Sequence, residues 1–369
     1  MELTIRVPEL VKALQRVQSI VEKKTTMPIL ANALLRSTSK DQITVSATDL
    51  EIGLVASYEA KVTKPGALTL GAKALYDIVR SLPEELVTLK QAANQWVEIS
   101  CGKVKYRVVG MAADNFPSLP SFAEVPFFSV EPKVMKEMID RTLYAVSTDE
   151  TRYNLTGVYF EPVVAAQALR MVATDGHRLA LVERPMAEPP SMKAGVIIPR
   201  KGLSELRKLL DDGADPGRLG FVDNSAVFAK GPLTLTMRLV DGRFPDYQQV
   251  IPSGFTRKVI LRRQPLQDAL KRTSLLSADK GQGVRLELAP GTLSLSSNNP
   301  DLGEAREDLD VEFDGEPLKI GFNFRYLLDI LSTVHDEQIE LQLTDELSPG
   351  VLVGGNTPGD RAVVMPMRI

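Results

Sequence analysis

The sequence has 369 residues, of which 44% are hydrophobic and 25% charged, and its net charge at pH 7 is −3. This balance is typical of folded globular domains and argues against a disordered or fibrous chain. One cysteine, Cys101, excludes an internal disulfide, and with only two histidines it argues against a zinc site of the common Cys/His types.

Membrane and export signals are absent from the pattern. No stretch approaches the roughly 18 consecutive apolar residues of a membrane span. The first residues, Met1–Arg6, lack the long apolar region of a signal peptide. We therefore expect a cytoplasmic protein.

Two helical patterns recur along the chain in a fixed order. The first lies near residues 14, 139 and 270, at spacings of about 125 to 131 residues, in Ala13–Val17, Met138–Thr142 and Ala269–Thr273. The second follows each copy of the first, in Lys73–Val79, Gly202–Leu209 and Arg325–Leu331. A period of this length is that of a whole domain, whereas solenoid units repeat every 20 to 50 residues or so. The sequence therefore predicts three tandem copies of one domain.

Alternation of apolar and polar residues predicts strands between and after these helices. Period-two runs joined by short Pro-Gly turns are typical of half-buried antiparallel hairpins. The clearest runs are Gln42–Ser46, Glu51–Val55, Trp96–Ser100, Lys105–Val109, Val284–Leu288 and Gly291–Ser296. Each copy is therefore predicted to be α+β, with two helices on one side of antiparallel sheets, and not a βαβ dinucleotide fold.

Two proline-bearing stretches separate the copies. Proline removes a backbone donor and biases the preceding residue toward extended geometry, so Phe116–Phe122 and Phe244–Pro252 are predicted to be extended linkers. The predicted domains are residues 1–124, 125–253 and 254–369.

Positive charge collects on the helices. The predicted first helix, Leu10–Lys24, places Lys12 and Arg16 four residues apart on the face opposite its apolar stripe. Arg262–Arg272 is similarly basic, whereas acidic residues partly offset the charge around Gly202–Leu209. For any one helix a solvated face explains the charge, but recurrence in a chain of net charge −3 favours segregation. Segregated positive charge of this kind indicates a surface that contacts nucleic-acid phosphates with little sequence preference.

Signals for catalysis are few. No phosphate-loop or Gly-x-Gly-x-x-Gly pattern is found. Asp308 and Asp310 could pair on a metal, but a solvated strand edge explains this acidic run better. The segment Asp175–Arg178 contains His177, yet Asp-Gly favours a turn, and a histidine without a matched nucleophile is weak evidence for triad chemistry.

Several segments together resemble the bacterial replicative sliding clamp, the beta subunit of the replicative DNA polymerase. These segments are Thr48–Glu51, Ala173–Ala180, Ile198–Gly202, Leu239–Tyr247 and Val364–Ile369, and the resemblance spans all three copies. It implies a head-to-tail homodimer in which two chains of three domains close a ring, with helices lining the hole and sheets on the outer rim.

The resemblance and the basic character of the helices suggest which residues contact duplex DNA. Weak phosphate contacts within a closed ring would let the protein slide. The predicted contacts are Lys24, Lys73, Arg80, Arg152, Tyr153, Arg200 and Lys201. Two positions depart from the family pattern: Lys24 stands where arginine is frequent, and Asn154 where a tyrosine can occur.

The resemblance also implies an apolar pocket between the second and third domains that binds short linear peptides of client proteins. Local sequence alone favours an ordinary terminal strand for Met365–Met367, with Pro366 at an edge of the sheet or at its exit. Flexible methionines, in contrast, suit a pocket for varied ligands. The residues of this client pocket are Leu155, Thr174, Gly176, His177, Arg178, Leu179, Pro245, Val250, Asn323, Tyr326, Val363, Met365, Pro366, Met367 and Arg368.

Ring closure would join the first domain of one chain to the third domain of its partner. Lys103–Val108 is an alternating segment with a basic face, and an acidic segment follows Leu295. Such edges could pair by strand addition, although each edge could simply be solvated. The predicted interface residues are Lys103, Lys105, Tyr106, Val108, Leu275, Leu276, Asp301, Glu304 and Glu307.

The function predicted from these features is a non-catalytic DNA sliding clamp that tethers a replicative polymerase. Its expected partners are duplex DNA, a second copy of the chain, the polymerase, the clamp loader and other client proteins. We expect no cofactor, since the loader of this family uses the ATP. Two alternatives remain open at this stage: a hydrolase or nuclease built on Asp175–Arg178, and a scaffold that binds only proteins.

Overall fold

The computed structural model describes residues 1–21, 26–83, 85–120, 122, 124–192, 194–211, 213, 215–277, 282–354 and 359–368. Its internal contacts form two compact units, Met1–Pro132 with Ser204–Leu239, and Lys133–Leu203 with Val240–Ile369. Unit 1 and unit 2 denote these two groups. In the part of the chain that is described, no helix is both long and apolar enough to cross a membrane.

The first third of the chain contains nine strands and two α-helices among the described residues. In chain order they are β1 (Glu2–Arg6), α1 (Val7–Val17), β2 (Asn32–Ser37), β3 (Gln42–Thr48), β4 (Ile52–Glu59), β5 (Lys61–Lys64), β6 (Ala67–Gly71), α2 (Ala72–Val79), β7 (Leu86–Gln91), β8 (Trp96–Cys101) and β9 (Val104–Val109).

The remaining elements repeat that order twice, without a counterpart of β5. The second copy is β10 (Phe127–Val130), α3 (Pro132–Leu143), β11 (Gly157–Val163), β12 (Ala168–Thr174), β13 (Arg178–Pro185), β14 (Val196–Pro199), α4 (Arg200–Leu210), β15 (Gly217–Val222), β16 (Ser225–Lys230) and β17 (Leu233–Arg238). The third copy is β18 (Arg257–Arg262), α5 (Arg263–Ser274), β19 (Gly283–Ala289), β20 (Thr292–Asn299), β21 (Gly303–Asp310), β22 (Leu318–Asn323), α6 (Phe324–Thr333), β23 (Gln338–Leu343), β24 (Gly350–Gly354) and β25 (Arg361–Val364). The predicted α+β fold in three copies is confirmed.

Each unit contains two antiparallel sheets. Unit 1 has a five-stranded sheet in the order β5-β1-β7-β8-β9 and an eight-stranded sheet in the order β10-β15-β16-β17-β4-β3-β2-β6. Unit 2 has an eight-stranded sheet, β14-β11-β12-β13-β25-β24-β23-β18, and a four-stranded sheet, β21-β20-β19-β22. Each eight-stranded sheet therefore joins strands of two successive copies, through β4 and β17 in unit 1 and through β13 and β25 in unit 2.

Helix α1 shows how the sequence pattern specifies both the helix and its buried face. Leu10, Leu14 and Val17 recur at helical spacing and are buried, while Lys12 on the opposite face is exposed. Full burial of such a side chain contributes about 1.5–3 kcal/mol. The prediction that this helix continues to residue 24 is wrong, because it ends at Val17 and the next three residues form turns bonded back to residues 14 and 17.

The apolar core of unit 2 includes several residues of the predicted client pocket. One apolar cluster lies between α5, α6 and the four-stranded sheet, with Leu270, Phe322 and Leu331 almost completely buried. A second cluster gathers Leu155, Leu179, Phe244, Tyr247 and Val363. The segment after β17, including Phe244 and Tyr247, is thus anchored against strands of two successive copies.

Candidate functional sites

The turn between β12 and β13 is built by a threonine and an aspartate. The Thr174 hydroxyl donates to the Arg178 carbonyl at 2.6 Å and accepts from the Gly176 amide at 3.1 Å. The Asp175 carboxylate accepts from the amides of His177 and Arg178 at 2.9 and 3.0 Å. Gly176 has φ +89°, which a glycine adopts without steric cost. The Asp-Gly turn predicted from the sequence is confirmed, and its side-chain bonds fix the backbone of the site.

Arg178 organises the floor of the site. Its guanidinium bonds to Asp175 at 3.0 Å, to Asp329 at 2.5 Å and to the Tyr144 carbonyl at 2.7 Å. It also lies 4.4 Å from the ring centre of Tyr326. Burial alone would lower the pKa of Arg178, but its bonds and attraction to Asp329 and Asp175 outweigh burial and raise that pKa. The guanidinium is therefore a fixed positive charge held in one orientation.

Apolar residues surround this turn with different exposures. Leu155, Leu179 and Val363 are buried, whereas 41% of Met365 and 48% of Val250 are exposed. The His177 ring stacks on Tyr326 with ring centres 6.4 Å apart. Around this turn, unit 2 thus combines a base of buried apolar side chains with the exposed side chains of Met365 and Val250. This combination suits an apolar ligand more than an ionic one.

The segment after β25 runs along two strands. The Met365 amide donates to the His177 carbonyl at 2.9 Å, and the Met367 amide donates to the Gly321 carbonyl at 2.8 Å. Nearby, the Asn323 side chain caps α6 through the Arg325 amide. β25 stands between β13 and β24 and ends at Val364, so Pro366 lies where the chain leaves the eight-stranded sheet, as one of the two predicted positions for it requires. The structure thus places Met365 beside the Thr174–Arg178 turn and Met367 beside β22.

A short helical segment, Glu150–Leu155, contacts two parts of the client pocket. Arg152 donates to the Asp175 carbonyl at 2.9 Å, and a Cβ added at Gly176 would lie 2.9 Å from an Arg152 nitrogen. The Asn154 side-chain amide donates to the Arg243 carbonyl at 3.1 Å, two residues before Pro245. Arg152, predicted from the sequence only as a DNA contact, is therefore also in contact with the Thr174–Arg178 turn.

The other described residues predicted to contact DNA lie on helices or directly beside them. In unit 1, Lys73 and Arg80 are exposed on and immediately after α2, with Arg80 5.7 Å from the Tyr76 ring centre. In unit 2, Arg200 and Lys201 begin α4, and 57% of Tyr153 is exposed. Lys24 lies outside the described residues. Of the described candidates on these helices, Lys201 is half-buried and the others are exposed, and their contact with DNA stays a prediction.

Two strands at the ends of sheets carry most of the predicted dimer residues. β9 follows β8 at one end of the five-stranded sheet and contains Lys105, Tyr106 and Val108, with Lys103 in the preceding turn. β21 follows β20 at one end of the four-stranded sheet and contains Glu304 and Glu307.

Their side chains differ in availability. Tyr106 is 38% exposed and Leu275 78% exposed, Leu276 is half-buried, and Asp301 is exposed in the turn before β21. Glu307 instead accepts two bonds from Arg272 of its own chain, at 2.6 and 2.9 Å, and the Arg272 hydrogen bond lowers the pKa of Glu307. Glu307 is thus already paired within its own chain. We expect the residues beside Glu307 to contribute more to contact with a partner chain than its own charge does.

Sequence reasoning missed several residues that shape the site. Asp329 and Tyr144 hold Arg178 but lie 151 and 34 positions away from it, and no local pattern links them. Arg107 on β9 was also omitted, although its place in the alternating strand was a signal for its exposure. In the described residues no group of three or more His, Cys, Asp or Glu side chains is arranged to hold a metal, and Asp308 bonds to Arg306.

Comparison with known proteins covers the whole chain. Family models of the DNA polymerase III beta subunit match as its N-terminal domain over residues 1–120, its central domain over 129–246 and its C-terminal domain over 248–368. The beta sliding clamp of Caulobacter vibrioides is 38% identical over 373 residues, covering 100% of both chains.

Solved structures agree with that match. A Caulobacter crescentus beta sliding clamp, with polyethylene glycol bound to its putative beta-motif tethering region, has a TM-score of 0.95 at 38% identity over 100% of both chains. A Bartonella birtlesii sliding clamp bound to griselimycin has the same TM-score, identity and coverage. The chain therefore belongs to the family of the DNA polymerase III beta subunit, the bacterial sliding clamp, which is a non-catalytic processivity factor.

Proposed function

We propose that two copies of this chain close head to tail into a ring around duplex DNA and tether the polymerase and other client proteins to it. The observation that carries this proposal is a strand pairing made twice within the chain and left incomplete once. β17 pairs with β4, and β25 pairs with β13. The corresponding strands β9 and β21 each stand at the end of a sheet.

The two internal pairings predict the register of the third. The hairpin turn before β9 pairs Cys101 with Val104, just as the turn before β17 pairs Lys230 with Leu233, so Lys105 corresponds to Thr234. Within unit 1, Thr234 lies opposite Val55.

The other half of the correspondence comes from pairing within each copy. Equivalent hairpins of the three copies show which residues correspond. The residues opposite Ser46, Val172 and Ser296 are Val55, Leu181 and Arg306, so these three occupy the same position in their copies. Lys105 of one protomer should therefore lie opposite Arg306 of another copy. Stepping along the antiparallel pair then places Arg107 opposite Glu304, Tyr106 opposite Ala305, and Lys103 opposite Asp308.

This register supports association. Two of the three opposed charged pairs have opposite signs, and the like pair of Lys105 and Arg306 is flanked by Glu304 and Asp308 on the same face. Arg306 already leans toward Asp308, at 3.3 Å. Main-chain pairing of two free edges supplies the attraction, and the charges select the register.

Sedimentation equilibrium tests this assembly directly. A chain of 40.5 kDa should sediment with twice that mass. Arg107→Glu should shift the equilibrium toward single chains, and adding Glu304→Arg should restore the dimer. Lys258→Glu, an equal charge change on β18, is the control and should leave the mass unchanged. A single-chain mass for the unaltered protein, or no rescue by the double variant, would contradict the proposed pairing.

We infer that the predicted basic residues contact the DNA backbone. Lys73 is the second residue of α2 and Lys201 the second residue of α4, so these two lysines recur at matching places in the repeat. Arg200 begins α4, and Arg80 directly follows α2. Arg152 and Tyr153 extend the contact at the edge, and Lys24 belongs to the same predicted set. Phosphate contacts of this kind weaken steeply with salt and carry no sequence preference.

We propose that client proteins insert a short peptide into the client pocket. The buried apolar base, the exposed Met365 and Val250, and the fixed turn at Thr174–Arg178 support this role. The griselimycin complex of the Bartonella clamp gives a practical probe. Met365→Ala with Met367→Ala should weaken griselimycin binding at least 10-fold, about 1.4 kcal/mol, and leave the sedimenting mass unchanged. Conversion to single chains would count against this assignment.

We also propose that the repeats divide near residues 124 and 253 into three clamp domains, and that the protein acts in the cytoplasm. The clamp loader and further replication and repair proteins are the remaining proposed partners. Their chemistry is that of a short apolar peptide entering the same pocket.

A further inference from the structure

A groove of about 540 Å³ lies on the four-stranded sheet of unit 2 beside the client pocket. Its lining includes Arg285, Lys319, Gly321, Leu347, Met367 and Arg368. Only Met367 and Arg368 belong to the client pocket as predicted from the sequence. The other residues have no part in the functions described above.

The groove floor follows from strand register. Arg285 lies opposite Gly321 in the β19–β22 pair. Their neighbours Leu286 and Ile320 are buried, so alternation places Arg285 and Gly321 on the other face of the sheet. Because Gly321 has no side chain, the sheet has a shallow trough at this point.

Two segments form the walls. On one side the Met367 amide is bonded to the Gly321 carbonyl, which holds the end of the chain along β22. On the other side the Asp345 carboxylate accepts from the amides of Leu347 and Ser348 at 2.9 and 2.7 Å and fixes their turn. Leu347 is 66% exposed. The apolar side chains of Leu347 and Met367 therefore both line the groove.

The charge of the groove is mainly positive. Arg285, Lys319 and Arg368 line it, against Glu346 alone. Lys319 also contacts Glu287 at 3.1 Å, but 71% of the Lys319 side chain is exposed, so its ammonium is accessible to a ligand. Carboxylates are the groups that such a surface attracts.

We propose that this groove binds an acidic segment flanking the apolar part of a client peptide. The proposal rests on the proposed client pocket and specifies its preferred ligands. Met367 and Arg368 line both sites, so one extended peptide can pass from the pocket into the groove. Carboxylates of the segment meet Arg285 and Lys319.

Labelled peptides test the proposal on the full chain. All share one anchor of leucine and phenylalanine that competes with griselimycin, and they differ only in four flanking residues: serine, aspartate or lysine. Each flank is placed before the anchor in one series and after it in another. In one series, aspartate should bind about 10-fold more tightly than serine at low salt, and lysine more weakly. The preference should fade near 0.5 M salt, where screening is strong.

Variants locate the effect. Arg285→Glu with Lys319→Glu should reverse the preference for aspartate and leave the serine peptide unchanged. Lys258→Glu with Lys271→Glu makes the same charge change on exposed lysines that do not line the groove, and it should alter neither.

Three outcomes would overturn the proposal. Equal binding of the aspartate and serine peptides in both series is the first, and an unchanged preference in the Arg285→Glu, Lys319→Glu variant is the second. The third is loss of binding of a labelled single-stranded oligonucleotide in that variant without any peptide preference, which would assign the groove to nucleic acid. Failure of the serine peptide to bind, or its insensitivity to Met365→Ala with Met367→Ala, would instead contradict the client pocket itself.

Discussion

The turns at Thr48–Ile52 in unit 1 and Thr174–Arg178 in unit 2 have the same hydrogen bonds but different surroundings. Thr48 donates to the Ile52 carbonyl at 2.8 Å, and Asp49 accepts from the amides of Glu51 and Ile52 at 2.9 and 2.6 Å. The strand that follows each turn pairs with the next copy in the same way, since the Arg238 amide donates to the Glu51 carbonyl as the Met365 amide donates to that of His177.

The side chains at the matching positions diverge. Where unit 2 has Arg178, bonded to two carboxylates, unit 1 has the buried Ile52. The next residue also differs. In unit 1 it is Gly53, where an added Cβ would lie 2.9 Å from Leu119, and in unit 2 it is Leu179. The repeat therefore preserves the backbone that joins copies, whereas the proposed client pocket depends on side chains that only one turn carries.

The largest contrast is expected from truncating the residue that ends each turn. Arg178→Ala leaves Asp175 and Asp329 without their shared cation, so griselimycin binding should fall at least 10-fold. Ile52→Ala removes buried apolar volume, which costs about 2–5 kcal/mol, and should leave griselimycin affinity unchanged. Calorimetric binding and chemical denaturation of both variants measure the two effects. Equal losses of affinity in the two variants would remove the distinction between the turns.

A smaller effect is expected from the aspartates, which have the same role in both turns. Asp175→Ala and Asp49→Ala each remove a carboxylate that accepts two backbone amides, and each should cost about 1–2 kcal/mol of unfolding free energy. Only Asp175→Ala should also weaken griselimycin, since Asp175 holds Arg178. If Asp49→Ala weakened binding as much, unit 1 would contain a second site.

Arg152→Ala should have a moderate effect on binding alone. The variant loses the bond to the Asp175 carbonyl, a net contribution of about 1 kcal/mol, so griselimycin affinity should fall about 3- to 5-fold. Lys73→Ala, an exposed basic position on α2, is the matched control for lost positive charge. Unchanged affinity in Arg152→Ala would show that the turn keeps its shape without this contact.

The smallest effect concerns the third residue of each turn. Leu50 has φ +79° and Gly176 has φ +89°. Leucine in this region is strained by roughly 1–2 kcal/mol, so Leu50→Gly should change stability by less than about 1 kcal/mol and in the favourable direction. Gly176→Ala should destabilise, because its Cβ would lie 2.9 Å from Arg152. Thermal denaturation distinguishes the two signs, and a stabilising Gly176→Ala would contradict the strain argument.

The sequence predicted the repeated elements well, because the helices and strands of each copy share the same pattern of apolar residues. The end of α1 was not predictable, since Ile20 and Val21 continue the apolar pattern although the chain turns after Val17. The partners of Arg178 were also hidden, because Asp329 reaches it only through tertiary packing. Pairing of Glu307 with Arg272 likewise depends on the packing of α5 against β21.

The central claim is that the protein holds DNA by encircling it. The most direct measurement is retention of labelled protein on a nicked circular duplex after incubation with the clamp loader and ATP, at a salt concentration that removes ordinary phosphate contacts. The account predicts that the protein stays on the circle and is lost once a restriction enzyme linearises the DNA. Equal retention on circular and linear DNA, or loss from both at that salt concentration, would contradict it.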